Sequence, residues 1–337
     1  MKTFEWLFKD KKISKIEITL PALSVGEVLI KVVKVGICGS DLFALESVDQ
    51  YEELRLGHEW VGEVENSLSD NYKVGDLVTS SAFIGCGECS LCLVEKSNFC
   101  QNGFALGGKD FGMLRSKAIL PANQLLKVDN FSLNEIVLLE VAAVAEEAVS
   151  QILRLGLEKR HRVLVFGGGP VGLLTSLKLK EEGYDYTLIE KDNFRIKMAR
   201  DLEVNIQALG MALLDDKKKF DYIIDASGNG NKQSGFWKYA KVFISTSSVC
   251  LIVGKYIGTS EIHSNLFAMN NLTIKWMRGM PKETLARTRD FWIDKFSHIS
   301  SKMITHEFNF SDVSKAFDLA LARDNCMKII INVNVND

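Results

Sequence analysis

The chain has 337 residues, 47% hydrophobic and 25% charged, with a formal net charge of −2 at pH 7. That length provides about two domains with their own cores, and the near-neutral balance gives no electrostatic reason to expect nucleic acid or an anionic membrane as a partner. The opening "MKTFEWLFKDKKISK" lacks a signal-peptide apolar core, no apolar run approaches the roughly 18 residues of a membrane span, and the seven cysteines are an odd number, so reduced thiols in the cytoplasm are expected rather than a disulfide framework.

In chain order, the first part reads mostly as β-structure up to about residue 145. "VGEVLIKVVKVGIC" (Val25–Cys38) alternates and is β-branched, and "GHEWVGEVENS" and "VGDLVTSSAFIG" continue the pattern between glycines. Two fragments here look chemical. One is "GICGSD", with Cys38, Ser40 and Asp41; the other is "GHEWVGEV", with His58 and Glu59. A lone cysteine or histidine usually means core packing, so these gain weight only from the company they keep in the rest of the chain.

Cys86, Cys89, Cys92 and Cys100 come next, in "GCGECSLCLVEKSNFC", within a lobe of about 85–103. The spacing C-x2-C-x2-C-x7-C suits one tetrahedral ion held by four thiolates. Zinc is the expected ion, with an iron–sulfur cluster as the rival. A closed four-thiolate shell leaves no open position, so this ion should hold a lobe together and do no chemistry.

The texture changes near Glu135. "NEIVLLEVAAVAEEAVSQILRLG" is rich in helix formers, with Gly156 as a stop. "RVLVFGGGPVGLLTSLKLKEEG" then reads as strand, glycine turn and helix, "DYTLIEKD" as strand and "NFRIKMARDLE" as helix. "FDYIIDASGNG" and "SSVCLIVGKY" are further strands, and the alternation argues for a parallel α/β sheet. After Pro281, "KETLARTRDFWIDKF" and "SDVSKAFDLALARD" look helical and "MKIIINVNV" is a closing strand.

Gly167, Gly169 and Gly172 form G-x-G-x-x-G between a strand and a helix, and Glu190 ends the next strand 23 residues after the first glycine. Gly167 allows the tight turn, Gly169 lets the backbone approach a pyrophosphate, and Gly172 lets helix and strand pack closely. Pro170 and Val171 open the helix whose free N–H groups meet the phosphates. Glu190 can accept bonds from both adenosine ribose hydroxyls, and its charge opposes a 2′-phosphate. NAD is therefore expected, with NADP as the alternative because Lys191 and Arg195 lie nearby.

With a dinucleotide fold and a cysteine lobe in the same chain, Cys38 and His58 read as ligands of a second, open zinc site. Glu140 is the expected third ligand, bringing the charge of the set to −2 against Zn²⁺. Glu59, next to a ligand, is a transient fourth donor or a group just outside the ligands, the bland alternative being a solvated or merely ion-paired carboxylate. Asp41 is expected to accept from the imidazole N–H. Glu146 and Glu147 share the helix of Glu140 and read as a solvated surface.

Taken together, these segments resemble the zinc-dependent medium-chain dehydrogenase/reductase family, in particular its polyol and threonine dehydrogenase branch. The resemblance rests on "VGICGSD", "GHEWVGEV", "GCGECSLC", the Glu140 segment, "GGGPVG" and "FDYIIDASG", in order and spanning essentially the whole chain. It implies an α/β protein: a GroES-like mostly-β catalytic domain plus a doubly wound Rossmann coenzyme domain, with limits at 1–149, 150–281 and a return to the catalytic domain at 282–337. It implies Cys38, His58 and Glu140 around a catalytic zinc, Glu59 as an exchangeable carboxylate, and Cys86, Cys89, Cys92 and Cys100 around a structural one, two zinc ions per chain. It also implies a homodimer or homotetramer. The expected reaction is hydride transfer between NAD and a hydrophilic secondary alcohol, with Ser40 handling the proton. A biosynthetic carbonyl reductase and a catalytically silent nucleotide-binding relative are the alternatives.

Three departures stand out. Phe43 occupies the position of the family's outer relay histidine, Val141 replaces the proline after Glu140, and "SSVC" replaces a double glycine before "LIVG". His161, His263, His298 and His306 read as bland, and Trp237, Trp276 and Trp292 as packing. Arg278, after the strand "LTIKWM", is a candidate nicotinamide contact. Phe43, Leu45 and Phe83 are candidate pocket walls by the resemblance.

Overall fold

The computed structural model describes residues 1–46, 52–215, 218–228, 235–256 and 264–333. The chain divides into two compact units: Met1–Ala143 with Gly279–Asp337, and Val144–Arg278.

The first unit is built on a seven-stranded sheet. The strand Glu27–Gly36 lies near its centre and pairs antiparallel with Glu59–Ser67, Lys117–Pro121 and Lys328–Asn332. Val28, Ile30 and Val32 alternate along it toward the core, as a half-buried strand requires. They meet Trp60, Val64, Val78, Leu120 and Ile331 there. The helix Val313–Ala322 adds Val313, Ala316, Phe317 and Ala320, one apolar stripe at helical spacing. The closing strand Lys328–Asn332 thus sets Ile330 opposite Gly36, 294 positions earlier in the chain.

The second unit holds a six-stranded sheet in the order Ile206–Ala208, Asp185–Glu190, Arg162–Phe166, Phe220–Asp225, Ile244–Ile252, Thr273–Trp276, every pair parallel. Numbered within this unit, the order is that of the doubly wound dinucleotide-binding fold. Five strands match the sequence reading, Thr273–Trp276 among them. Ile206–Ala208 has only three residues between two helices, too short to carry a periodic signal. In the first unit, Phe296–Met303 and Ile304–Asn309 are likewise absent from the sequence reading, because polar residues interrupt their pattern.

The "SSVC" departure has a local consequence. The pairing of Phe220–Asp225 with Ile244–Ile252 jumps from Phe220↔Ile244 to Tyr222↔Val249, so Ser245–Ser248 bulge outward. Ser248 is buried, and its hydroxyl donates to the Phe220 carbonyl at 2.8 Å. Ser247 is exposed and sits at φ +63°, in the left-handed region. The backbone therefore keeps a conformation that suits glycine while the residue is serine. Ser247→Gly is expected to raise the unfolding free energy by about 1 kcal/mol, read from urea denaturation, with no loss of activity.

Candidate active site

The first unit gathers a cysteine, a histidine and a glutamate. Cys38 follows the strand Glu27–Gly36, and Glu59 opens the strand paired with it, directly opposite Gly36. A Cβ on residue 36 would lie 2.5 Å from Glu59 Oε2, so only glycine leaves room for the carboxylate. His58 precedes Glu59, and its segment is clamped where Met113 N–H donates to the Gly57 carbonyl and Leu114 N–H to that of Leu56. The donor atoms of Cys38, His58 and Glu59 all lie within 4.8 Å of one another. Donors sharing one tetrahedral ion at ~2.0–2.3 Å sit roughly 3.3–3.8 Å apart, so small side-chain movements close this set around a zinc-sized ion.

The surroundings orient the set. Asp41, buried at the start of the helix Gly39–Glu46, accepts from Cys38 N–H at 3.0 Å and faces His58 Nδ1 at 3.5 Å. Ser40 Oγ lies 3.2 Å from His58 Nε2. Burial disfavours a charged imidazole, but Asp41 and the Cys38 thiolate outweigh it and hold His58 well above the ordinary histidine range. The negative groups around the imidazole favour a positive charge beside them.

Glu140 lies in the long helix Leu133–Arg154 and is buried. Burial pushes its carboxyl up to about 7, against the pull of His58. It thus feels the site's charges but is not one of the three residues brought within ligand distance of each other. Glu59 takes that place. Glu59 also has a partner that sequence reasoning missed: Lys328 Nζ donates to both its oxygens, at 2.7 and 2.5 Å. The one available signal was a lysine ahead of three isoleucines in the closing strand.

Cys86, Cys89, Cys92 and Cys100 form the second cluster, all as free thiols within 4.8 Å of one another. The Cys86–Cys92 and Cys89–Cys100 sulfurs are 3.9 and 3.7 Å apart. Sulfurs ~2.3 Å from a common tetrahedral centre would be roughly 3.8 Å apart, so the fit is close. Backbone N–H groups of Cys89 and Cys86 donate to the sulfurs of Cys86 and Cys100. Such a bond from Cys86 helps hold the Cys100 thiol down at about 6, while burial pushes Cys92 up to about 12.

In the second unit Gly167 turns at φ +100°, and a Cβ on Gly172 would lie 1.8 Å from the Gly167 carbonyl oxygen. Both positions exclude any other residue. The helix Pro170–Glu181 begins at Gly169 with no side chain capping it, so its first N–H groups stay open to an anion. Val171 lies in its first turn. Glu190 is buried and accepts from Gly168 N–H at 2.6 Å, from Lys191 N–H at 2.6 Å and from Asp192 N–H at 3.0 Å. Arg195 lies 3.9 Å from it. Gly167, Gly169, Glu190, Lys191 and Arg195 line one pocket, together with Lys238 and Tyr239, which sequence reasoning had not named.

Other expectations sort out differently. Glu146 and Glu147 are buried rather than solvated: Glu146 pairs with Lys178 at 2.7 Å and Glu147 with Arg154 at 2.5 Å. Their helix packs on nearly every face, so its carboxylates need internal partners. Trp237 and Trp292 are packed, but Trp276 is 53% exposed, because it lies on the last strand of its sheet. Leu45 is core, Phe43 and Phe83 are half-buried, and Arg278 is exposed. His298 is exposed, His161 accepts from Glu158 N–H, His306 touches Thr305, and His263 lies outside the described residues.

Residues 24–130 match the family model of the alcohol dehydrogenase GroES-like domain. An L-threonine 3-dehydrogenase of Solibacter usitatus is 26% identical over 94% of this chain and 95% of its own. An L-idonate 5-dehydrogenase of Vitis vinifera is 26% identical over 97% and 94%. Along nearly its whole length the chain is similar to zinc-type medium-chain alcohol dehydrogenases. The crystal structure of an alcohol dehydrogenase from E. coli CFT073 complexed with NADH shares the fold, with a TM-score of 0.84 over 98% of this chain and 99% of that one, at 24% identity. By these comparisons the chain is an oxidoreductase. No helix among the described residues is long and apolar enough to cross a membrane.

One buried acid beside the glycine turn yields a pH dependence. Asp225 ends the strand Phe220–Asp225 and accepts from Ser227 N–H and Oγ through one oxygen. Burial, partly offset by those bonds, raises its carboxyl from 3.8 to about 6. The folded chain then holds a proton that the unfolded chain has released, so stability falls as pH rises between those values. The full cost above that window is about 3 kcal/mol. Asp225→Asn should flatten this slope in urea unfolding series across the same range and leave the variant the more stable protein at neutral pH.

Proposed function

We propose that the chain is a zinc- and NAD-dependent dehydrogenase that interconverts a hydrophilic secondary alcohol (a polyol, sugar or amino alcohol) and its carbonyl. The observation that carries this reading is the convergence of Cys38, His58 and Glu59, with Ser40 on the imidazole and Asp41 behind it. The substrate class is supported by relatives named for L-threonine and L-idonate, both polar hydroxylated molecules.

Cys38 and His58 would hold the catalytic ion, with Glu59 as a displaceable third donor and Glu140 as the neighbouring carboxylate whose charge helps balance it. An ion there supplies Lewis acidity, which acidifies a hydroxyl and polarises a carbonyl. The chain's own groups do the rest. Asp41 fixes the imidazole's orientation through Nδ1 and keeps Nε2 for the site. Ser40 takes and passes the hydroxyl proton; its Oγ lies 3.2 Å from His58 Nε2, beside the position the ion would take. With Phe43 in place of a relay histidine, Ser40 is the chain's own first station for that proton.

In the second unit, the glycine turn and the open N-terminus of Pro170–Glu181 would bind the pyrophosphate. Glu190 would receive the ribose hydroxyls with the lone pairs that its backbone donors leave free. Its charge favours NAD, the hydride acceptor in the oxidative direction, while Lys191 and Arg195 moderate the exclusion of NADP. The four-cysteine lobe would carry the structural zinc, giving two ions per chain. Seven unpaired cysteines fit a cytoplasmic setting, and the family resemblance fits a homodimer or homotetramer.

Cys38→Ala and His58→Ala should each reduce turnover by at least ~10³-fold while NAD binding, followed by fluorescence, persists; full activity in either would refute the reading. Cys89→Ala should instead lower the thermal midpoint and release one of two zinc ions per chain, measured by metal analysis. Screening polyols, sugars and amino alcohols for NAD reduction on that same preparation tests the substrate class.

A further inference from the structure

The first unit contains a buried cation for which the proposed reaction has no use. Lys328 is 2% exposed. Its ammonium donates to Glu59 Oε1 at 2.7 Å, Glu59 Oε2 at 2.5 Å and the Ile37 carbonyl at 3.2 Å. Those three acceptors use every N–H the group has. Glu59 is fully buried, and Gly36 opposite it leaves the room its carboxylate needs. The carboxylate that Lys328 holds also comes within 4.8 Å of the donor atoms of Cys38 and His58.

We infer that Lys328 is a positioning residue that competes with the metal for Glu59, keeping that carboxylate a weak, displaceable ligand and the substrate's position at the metal open. The inference rests on the metal reading of Cys38, His58 and Glu59. Its physical basis is charge balance. The Cys38 thiolate and the Glu140 carboxylate together match a divalent ion, and Glu59 is already neutralised by Lys328. Without the ammonium, Glu59 is a buried anion with a single cation left to pair with. It would then grip the ion and occupy the position an external oxygen needs.

The test uses the full-length protein after dialysis against dipicolinate, which strips the open three-ligand site before the closed four-thiolate one, and reloading with cobalt. Imidazole serves as the external ligand and cobalt absorption as the readout. Lys328→Met should bind imidazole at least ~10-fold more weakly than wild type and release cobalt to chelator more slowly by a similar factor. Lys328→Met combined with Glu59→Gln removes both charges, avoids an unpaired buried carboxylate, and should regain the imidazole response. Wild-type imidazole affinity and cobalt release in Lys328→Met, or no imidazole response in the double variant, overturns the role of Lys328 and leaves the metal reading standing. A wild-type protein that takes up no cobalt with thiolate charge-transfer absorption overturns the metal reading itself, and the inference with it.

Discussion

Charge neutrality in a space closed to water governs the first unit. Asp41, His58, Glu59, Glu140 and Lys328 are all buried, and Cys38 is half-buried beside them. An isolated ion in such a place costs several kcal/mol, so each charge must find an opposite one or give up its ionisation. Glu59 finds Lys328. Glu140 is driven toward its neutral form, and His58 toward its charged one. The strand pairing that sets Gly36 opposite Glu59 is what makes such crowding sterically feasible.

The second unit solves a different problem, that of holding an anionic cofactor with few side chains. The backbone does most of it, through a turn that needs glycine at two positions and a helix end with no cap of its own. Glu190 belongs to this scaffold as well as to cofactor choice. By accepting from Gly168, Lys191 and Asp192 it ties the glycine turn to the end of the neighbouring strand. A substitution aimed at cofactor preference would therefore also loosen the turn, and the two effects would be coupled.

Departures from the family pattern are absorbed locally. The serines before "LIVG" bulge out of their strand, and Ser248 turns its hydroxyl inward to satisfy the Phe220 carbonyl that the bulge leaves open. Glu146 and Glu147, on a helix packed almost all round, are each matched by a cation, Lys178 and Arg154. In both places a polar group inside the protein is tolerated because a partner lies within hydrogen-bonding reach.

Much of this was legible in the sequence, for a definite reason. The four-cysteine cluster, the glycine turn with Glu190, and the nearness of Cys38, Ser40 and Asp41 depend on short spacings, and local backbone geometry converts those spacings into distances with little help from the rest of the chain. Strand and helix alternation likewise exposed the parallel sheet, apart from the three-residue strand Ile206–Ala208. What the sequence could not decide is which carboxylate joins Cys38 and His58, and what faces it. Glu59 and Glu140 were both candidates, and only the pairing of strands remote in sequence brings Lys328 across 269 positions to Glu59. Such a contact arises from the register of a sheet assembled from both ends of the chain, and no local pattern encodes it.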